Sequence, residues 1–242
     1  MAARAPDGKP IDPVENKRRM QAGELYYCFT PELIAERRRC KSAYQRFNAA
    51  GDVSRREYLE LWKDLVNDTS PLPPPAATPE EDDALLEDFP WVDGPTRMDY
   101  GYNVKAQRRR LGKNVYINTN NTWVDTCPIT VGARTLMGPN CSFYSGTHPI
   151  DPFLRNGLRG PESGAPINIG EDCWLGGNVT VLAGVTIGRG TTIGAGSVVT
   201  KDIPPFVVAV GNPARVLKKI DAPEAQKAEA EILTGESFKS TS

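Results

Sequence analysis

Residues 169–203 read IGEDCW, LGGNVT, VLAGVT, IGRGTT, IGAGSV and VTKDI, a pattern that returns every six positions. Ile169, Leu175, Val181, Ile187, Ile193 and Val199 head the hexads, and a second ladder of small or branched side chains runs through Cys173, Val179, Val185, Thr191, Ser197 and Ile203. Glycine follows the aliphatic head at 170, 176, 188 and 194. A helix turns one side chain inward every 3.6 residues or so and a flat strand every second, so neither keeps a strict period of six over this length. A triangular solenoid does. Each hexad then supplies one short strand and a tight corner, three hexads close a coil, the aliphatic head points into the prism, and Gly or Asn relieves the corner. One coil cannot bury its own inner face, so several must stack.

Working outward, the same period begins earlier, at Leu111, Ile117 and Trp123, slips by two residues, and resumes at Val131, Met137 and Phe143. It is lost between Phe143 and Ile167, which predicts a loop leaving the solenoid over 144–166. Loops on a rigid repeat scaffold are where function concentrates. Upstream, helical spacing and caps predict a short helix from Val14 to Ala22 closed by Gly23, a longer one opened by Thr30-Pro31-Glu32 and closed at Asn48-Ala-Ala-Gly51, and a third from Ser54 with Tyr58, Leu59, Trp62 and Leu65 on one face. These helices are expected to cover one end of the solenoid, because an open end would leave strand edges unpaired. Residues 1–13 are polar and are expected to fray. Residues 70–88, SPLPPPAATPEEDDALLED, read as a Pro-rich and acidic surface insert. The resulting organisation is a helical region over 1–69, an insert over 70–92, a β-helix domain over 93–220 and a tail over 221–242.

GAGSVVTKDIP at 194–204, GNPARV at 211–216 and GTHPIDP at 146–152 resemble the hexapeptide-repeat acyltransferases, most closely the maltose and galactoside O-acetyltransferases. The resemblance spans roughly Gln21 to Ile220. It implies a left-handed parallel β-helix, mainly β with an N-terminal α-helical region, an exception to the right-handed crossover preference. It implies acetyl-CoA as co-substrate, a small-molecule hydroxyl acceptor and a homotrimer with sites between subunits.

His148 is the one histidine of the chain and stands at the root of the predicted loop, in Ser145-Gly-Thr-His-Pro-Ile-Asp-Pro. Imidazole is the side chain most often used as a general base near neutral pH. The segment matches the family's catalytic segment around its histidine, so His148 is the candidate base that takes the proton of an acceptor hydroxyl while that oxygen attacks the thioester. Further roles follow from the resemblance alone. Asn118, in Tyr116-Ile-Asn-Thr-Asn, matches an acceptor-contacting asparagine, although Asn is also common at corners for its left-handed tolerance. Asp125 is a second candidate for the acceptor pocket, and a backbone N–H near Gly177 is the candidate oxyanion donor. Trp174, Gly177, Ala195 and Thr200 would line the coenzyme groove, with Lys201, Arg215 and Lys218 facing its phosphates. One position departs from the family. Galactoside acetyltransferases carry a sugar-contacting aspartate before the long helix, and ungapped alignment from Ala22-Gly23-Glu24-Leu25 puts Cys28 there, which leaves the acceptor's identity open.

Composition narrows the remaining classes. A formal net charge of −1 argues against a duplex-binding protein, and the runs Arg37–Arg39 and Arg108–Arg110 read as solvated surface. No apolar run reaches membrane-spanning length, and the first residues lack the apolar core of a secretory signal. Five cysteines without CxxC spacing suit a reducing compartment, and the cytoplasm is the expectation. A single histidine is too few for a solenoid carbonic anhydrase, whose zinc needs three, so no metal is expected. A catalytically silent assembly subunit is disfavoured by the retained Gly-Thr-His-Pro segment. Serine acetyltransferases share the repeat and a histidine base but carry a larger helical region, so transfer to serine or another non-sugar alcohol ranks below transfer to a sugar.

Overall fold

The computed structural model describes residues 4–105 and 111–223; Arg108–Arg110 and most of the segment 221–242 lie outside them. The aliphatic heads are the residues that leave solvent: Ile169, Leu175, Val181, Ile187, Ile193 and Val199 are each at most 1% exposed. Ile169 pairs in parallel with Ile187, Leu175 with Ile193 and Val181 with Val199, so each head lies over the one three hexads on. This register is that of a left-handed parallel β-helix with three faces.

The long face stacks Trp91–Val92, Tyr116–Ile117, Leu136–Met137, Trp174–Leu175, Thr192–Ile193 and Val207–Val210, and ends with the antiparallel strand Arg215–Lys219. The second face holds Thr96–Met98, Asn121–Val124, Ser142–Tyr144, Thr180–Leu182 and Val198–Val199. The third holds Val104–Lys105, Ile129–Val131, Ile167–Ile169 and Thr186–Ile187. Corners are tight. At Gly132 an added Cβ would lie 2.3 Å from the Glu171 nitrogen of the next coil, and Asn114, Asn120, Asn140 and Asn178 turn other corners with positive φ. Inside the prism Trp123 pairs with Phe143 across the second face, their rings stacked at 4.2 Å between centroids.

Helices α1 (Pro13–Ala22), α2 (Pro31–Asn48) and α3 (Arg55–Leu65) begin where Asp12, Thr30 and Ser54 accept backbone N–H groups, the last two at the expected starts and Asp12 a cap that the sequence reading did not name. Phe47, Leu59, Trp62 and Leu65 share one core with Val92, Met98 and Val104 of the first coil. Asn48 at the end of α2 exchanges two hydrogen bonds with the Thr96 backbone, at 2.9 and 2.8 Å, and so satisfies the edge of the second face. Two segments are more ordered than their composition suggests. Residues 79–85 form a helix, α4 (Pro79–Leu85), with a Thr78–Glu81 capping box, and Arg56 grips Asp82 with two hydrogen bonds of 2.7 and 2.6 Å. Near the terminus Ala5 N–H donates to the Lys9 carbonyl and Asp12 caps α1, so residues 4–12 form a turn rather than a frayed end.

Candidate active site

The loop that interrupts the hexads leaves after Tyr144 on the second face and returns at Ile167 on the third. Its two arms pair in antiparallel fashion, Thr147 with Ser163 and Gly146 with Gly164, which sets the next residues outward, His148 and Glu162, opposite each other. The imidazole Nε2 stands 3.9 Å from Glu162 Oε1, with the two side chains 56% and 24% exposed. Buried Ser145 pins the outgoing arm, its Oγ accepting the Cys127 N–H at 2.9 Å. On the return arm Glu162 exchanges backbone hydrogen bonds of 2.9 and 2.8 Å with Tyr26. Helix α1 ends against this hairpin through Gly23, whose φ is +78° and whose added Cβ would lie 2.4 Å from the Gly164 carbonyl oxygen.

Glu162 is thereby wedged between the histidine arm and the segment that links α1 to α2. Its Oε2 accepts the Tyr26 hydroxyl and its Oε1 the Cys28 thiol, both at 2.9 Å. Burial, and then the hydrogen bond to Glu162, push the Cys28 thiol up to about 12, so it remains a neutral donor. The buried Tyr26 hydroxyl is likewise held well above its ordinary range. Arg37 completes the frame by donating to the Tyr100 hydroxyl at 2.6 Å and to the Cys28 carbonyl at 2.8 Å. Burial raises the Asp99 carboxyl, with Arg37 opposing and Glu162 adding to the rise. Cys28 thus brings no charge itself; it donates to a carboxylate supplied by the loop.

Asp125 does not line a pocket, contrary to the sequence expectation. It is fully buried, with Oδ1 accepting the Asp99 and Tyr100 N–H groups and Oδ2 that of Asn103, and burial raises it to about 7. Its acceptors hold the first coil together. Tyr116 donates its hydroxyl to Asp93 at 2.6 Å, and Asn118 Oδ1 accepts the Thr119 N–H at 2.7 Å. These two lie before the second-face strand Asn121–Val124, whereas the loop leaves beyond that face, so about 13 Å of strand separates Asn118 from the His148 side of one prism. Exposed Trp174 belongs to the long face, and Gly177 and Ala195 follow it on successive coils of the Asn118 corner, linked by Gly196 N–H donating to the Gly177 carbonyl at 2.9 Å. Thr200 and Lys201 are exposed at the far end of Val198–Val199, and Arg215 and Lys218 are exposed on the last strand. One prism therefore joins Cys28 to His148 through Glu162, and Tyr116 and Asn118 to the Trp174 side of the prism, but not the two groups to each other. A cavity of about 1030 Å³ between α2, α3 and the first coil is lined by none of these residues.

Glu162 and Tyr26 stand in this candidate site and were missed by the sequence reading. Pairing Glu162 with residues 26 and 28 needs the hairpin register and the placement of α1, and no local spacing encodes either.

The comparisons agree with this architecture. The family described as the maltose acetyltransferase hexapeptide capping motif matches residues 19–70, and the bacterial transferase hexapeptide family, with six repeats, matches residues 166–201. A Staphylococcus aureus (strain MRSA252) protein bearing an acetyltransferase name is 43% identical over 206 residues, covering 85% of this chain and 92% of its own. The crystal structure of a maltose O-acetyltransferase from Clostridium difficile 630 superposes with a TM-score of 0.71 at 36% identity, covering 86% of this chain and 98% of that one. A galactoside acetyltransferase in complex with coenzyme A gives 0.69 at 32%, covering 84% and 90%. By these two family matches and by its identity to relatives over most of their length, the chain belongs to the hexapeptide-repeat acetyltransferases of the maltose and galactoside O-acetyltransferase type.

Proposed function

We propose that the protein transfers the acetyl group of acetyl-CoA to a hydroxyl of a sugar or sugar-like acceptor, with His148 as general base. The observation that carries this is the exposed imidazole held by a hairpin at the root of the loop, in a chain of this family. His148 takes the hydroxyl proton as the oxygen bonds to the thioester carbon, the C–S bond then breaks, and the departing thiolate takes up the proton. The thiolate is a good leaving group, so no strong acid is needed. The Gly177 N–H meets no backbone acceptor among the described residues, which suits it to the oxyanion that forms in between. Trp174, Gly177, Ala195 and Thr200 would line the coenzyme groove, and exposed Lys201, Arg215 and Lys218 would meet its phosphates.

A homotrimer is part of this reading. Trp91, Tyr116, Leu136 and Trp174 are stacked in register on the long face, three of them near half exposed, and the loop carries Ile150 and Phe153 at 94% and 90% exposure. Such surfaces mark association sites, and a neighbouring prism would bring Asn118 and the Trp174 groove to His148. Five buried free thiols support a reducing cytoplasm.

The test is release of free thiol from acetyl-CoA by purified protein against sugars, oligosaccharides, amino acids and simple alcohols. Transfer to sugar hydroxyls above all others is the expected outcome. Transfer to serine or to simple alcohols alone would overturn the sugar assignment.

A further inference from the structure

The cavity of about 1030 Å³ between α2, α3 and the first coil has the make-up of a ligand site in its own right. A space of that order holds an organic molecule of drug size. Its apolar wall is Leu59 and Trp62 of α3 with Val104 and Leu111 of the first coil, each at most 7% exposed, and half-buried Val66 and Phe89 widen it. His148, Glu162, Asn118 and Trp174 are not among its lining, so the site is separate from the one that carries acetyl transfer.

The charges around that wall do not balance. Lys17 pairs with Glu36, Lys63 with Asp68 and Lys113 with Asp88. Arg39, which also lines the cavity, meets no carboxylate among the described residues. Its guanidinium donates to the Asp64, Leu65 and Tyr100 carbonyls at 2.8, 3.1 and 2.8 Å. Those bonds leave two of its N–H groups unused and its charge offset only by the partial negative charge at the end of α3. On the same helix, Trp62 is 3% exposed, and its indole N–H has no acceptor among the described residues. A shielded indole N–H ordinarily finds a partner. A cation without a counter-ion and a donor without an acceptor, set around one apolar cavity, call for the same complement. We infer that the cavity binds an organic anion, with a single carboxylate or sulfonate on the Arg39 side and an aromatic or branched body against Leu59, Val104 and Leu111.

The experiment uses two fluorescent probes on the full chain: 8-anilinonaphthalene-1-sulfonate, an aromatic body with one anionic group, and N-phenyl-1-naphthylamine, the same rings without the sulfonate. The sulfonate is expected to bind saturably at one site per chain and to raise the melting temperature, as a ligand of the folded state does. The neutral probe should bind roughly 10- to 100-fold more weakly, the worth of a hydrogen bond to a charged group. Saturating acetyl-CoA should leave the bound sulfonate in place. Val66→Trp, which fills the cavity, should abolish binding, and Arg39→Gln should erase the preference for the anion. Where Val66→Trp does not fold, Thr69→Trp blocks the same cavity from an exposed position; where Arg39→Gln does not fold, the two probes on wild type decide the charge requirement. Absence of saturable binding, equal affinity of wild type for both probes, or binding indifferent to the tryptophan substitutions would overturn the inference. So would displacement by acetyl-CoA, which would put the probe in the coenzyme groove.

Discussion

The two sides of the second face are built by different means. On the Asn118 side every residue stands on a repeat: Tyr116, Trp174, Gly177 and Ala195 sit at fixed places in coils whose heads are buried and whose strands pair in register. On the His148 side nothing repeats. A hairpin, the end of α1 and the start of α2 meet there, tied by Glu162 to residues 134 and 136 positions away in sequence. The repeat side is regular, its strands paired in register from coil to coil. The hairpin side is irregular, its side chains held by contacts between segments distant in sequence.

The largest effect should come from the hairpin side. His148→Ala is expected to lower turnover by about 10²–10⁴ while coenzyme binding, followed by calorimetry, changes little. Unchanged turnover would remove His148 from the chemistry. Mixing sharpens the comparison: His148→Ala and Asn118→Ala, each impaired alone, are dissociated together and reassembled. If the two sides of a site come from different subunits, each mixed trimer regains both residues at one of its three sites, about a quarter of all sites at equal mixing, and activity rises above either parent. No gain on mixing would place both residues in one subunit's site, against the separation seen here.

A mutation inside the prism should divide the two sides in the other sense. Phe143→Ala removes the ring stacked on Trp123 and opens a void beneath the second face, at a cost of about 3–5 kcal/mol in unfolding free energy. Denaturant melts read it directly. A loss below about 1 kcal/mol would mean that the coils collapse onto the gap and that the prism is softer than its packing suggests.

The same contrast explains what could be read from the chain. Period six is local, so Ile169 through Val199 declared the solenoid, and Thr30-Pro31 and Ser54 declared their helices through caps. His148 stood out because the period failed around it. Glu162 did not, because its contacts with Tyr26, Cys28 and His148 depend on a hairpin register and on where a distant helix ends. Asp125 was misplaced for a related reason: a carboxylate serving three buried backbone amides looks, in sequence, like one awaiting a ligand. Thr78-Pro79-Glu80-Glu81 carries the same start signal as Thr30-Pro31-Glu32, and the prolines before it masked the helix that follows.

That insert provides the smallest test, away from both sides of the site. Asp82 joins α4 to α3 through Arg56, with both side chains about 15% exposed or less. Hydrogen bonds from Arg56, and then from the Ala76 N–H, lower its carboxyl from 3.8 to about 2. A group whose folded pKa is depressed stabilises the fold while ionised, so its contribution is complete above 3.8 and disappears as pH falls toward about 2. Asp82→Asn should therefore lower the melting temperature slightly at neutral pH, by less than Phe143→Ala does, and the gap from wild type should close across that acidic window. Proteolysis over residues 71–78 should quicken in the variant while acetyl transfer continues. A gap that persists unchanged at the lowest pH would mean that packing of Leu86 against the cap, rather than the Arg56 ion pair, holds the insert in place.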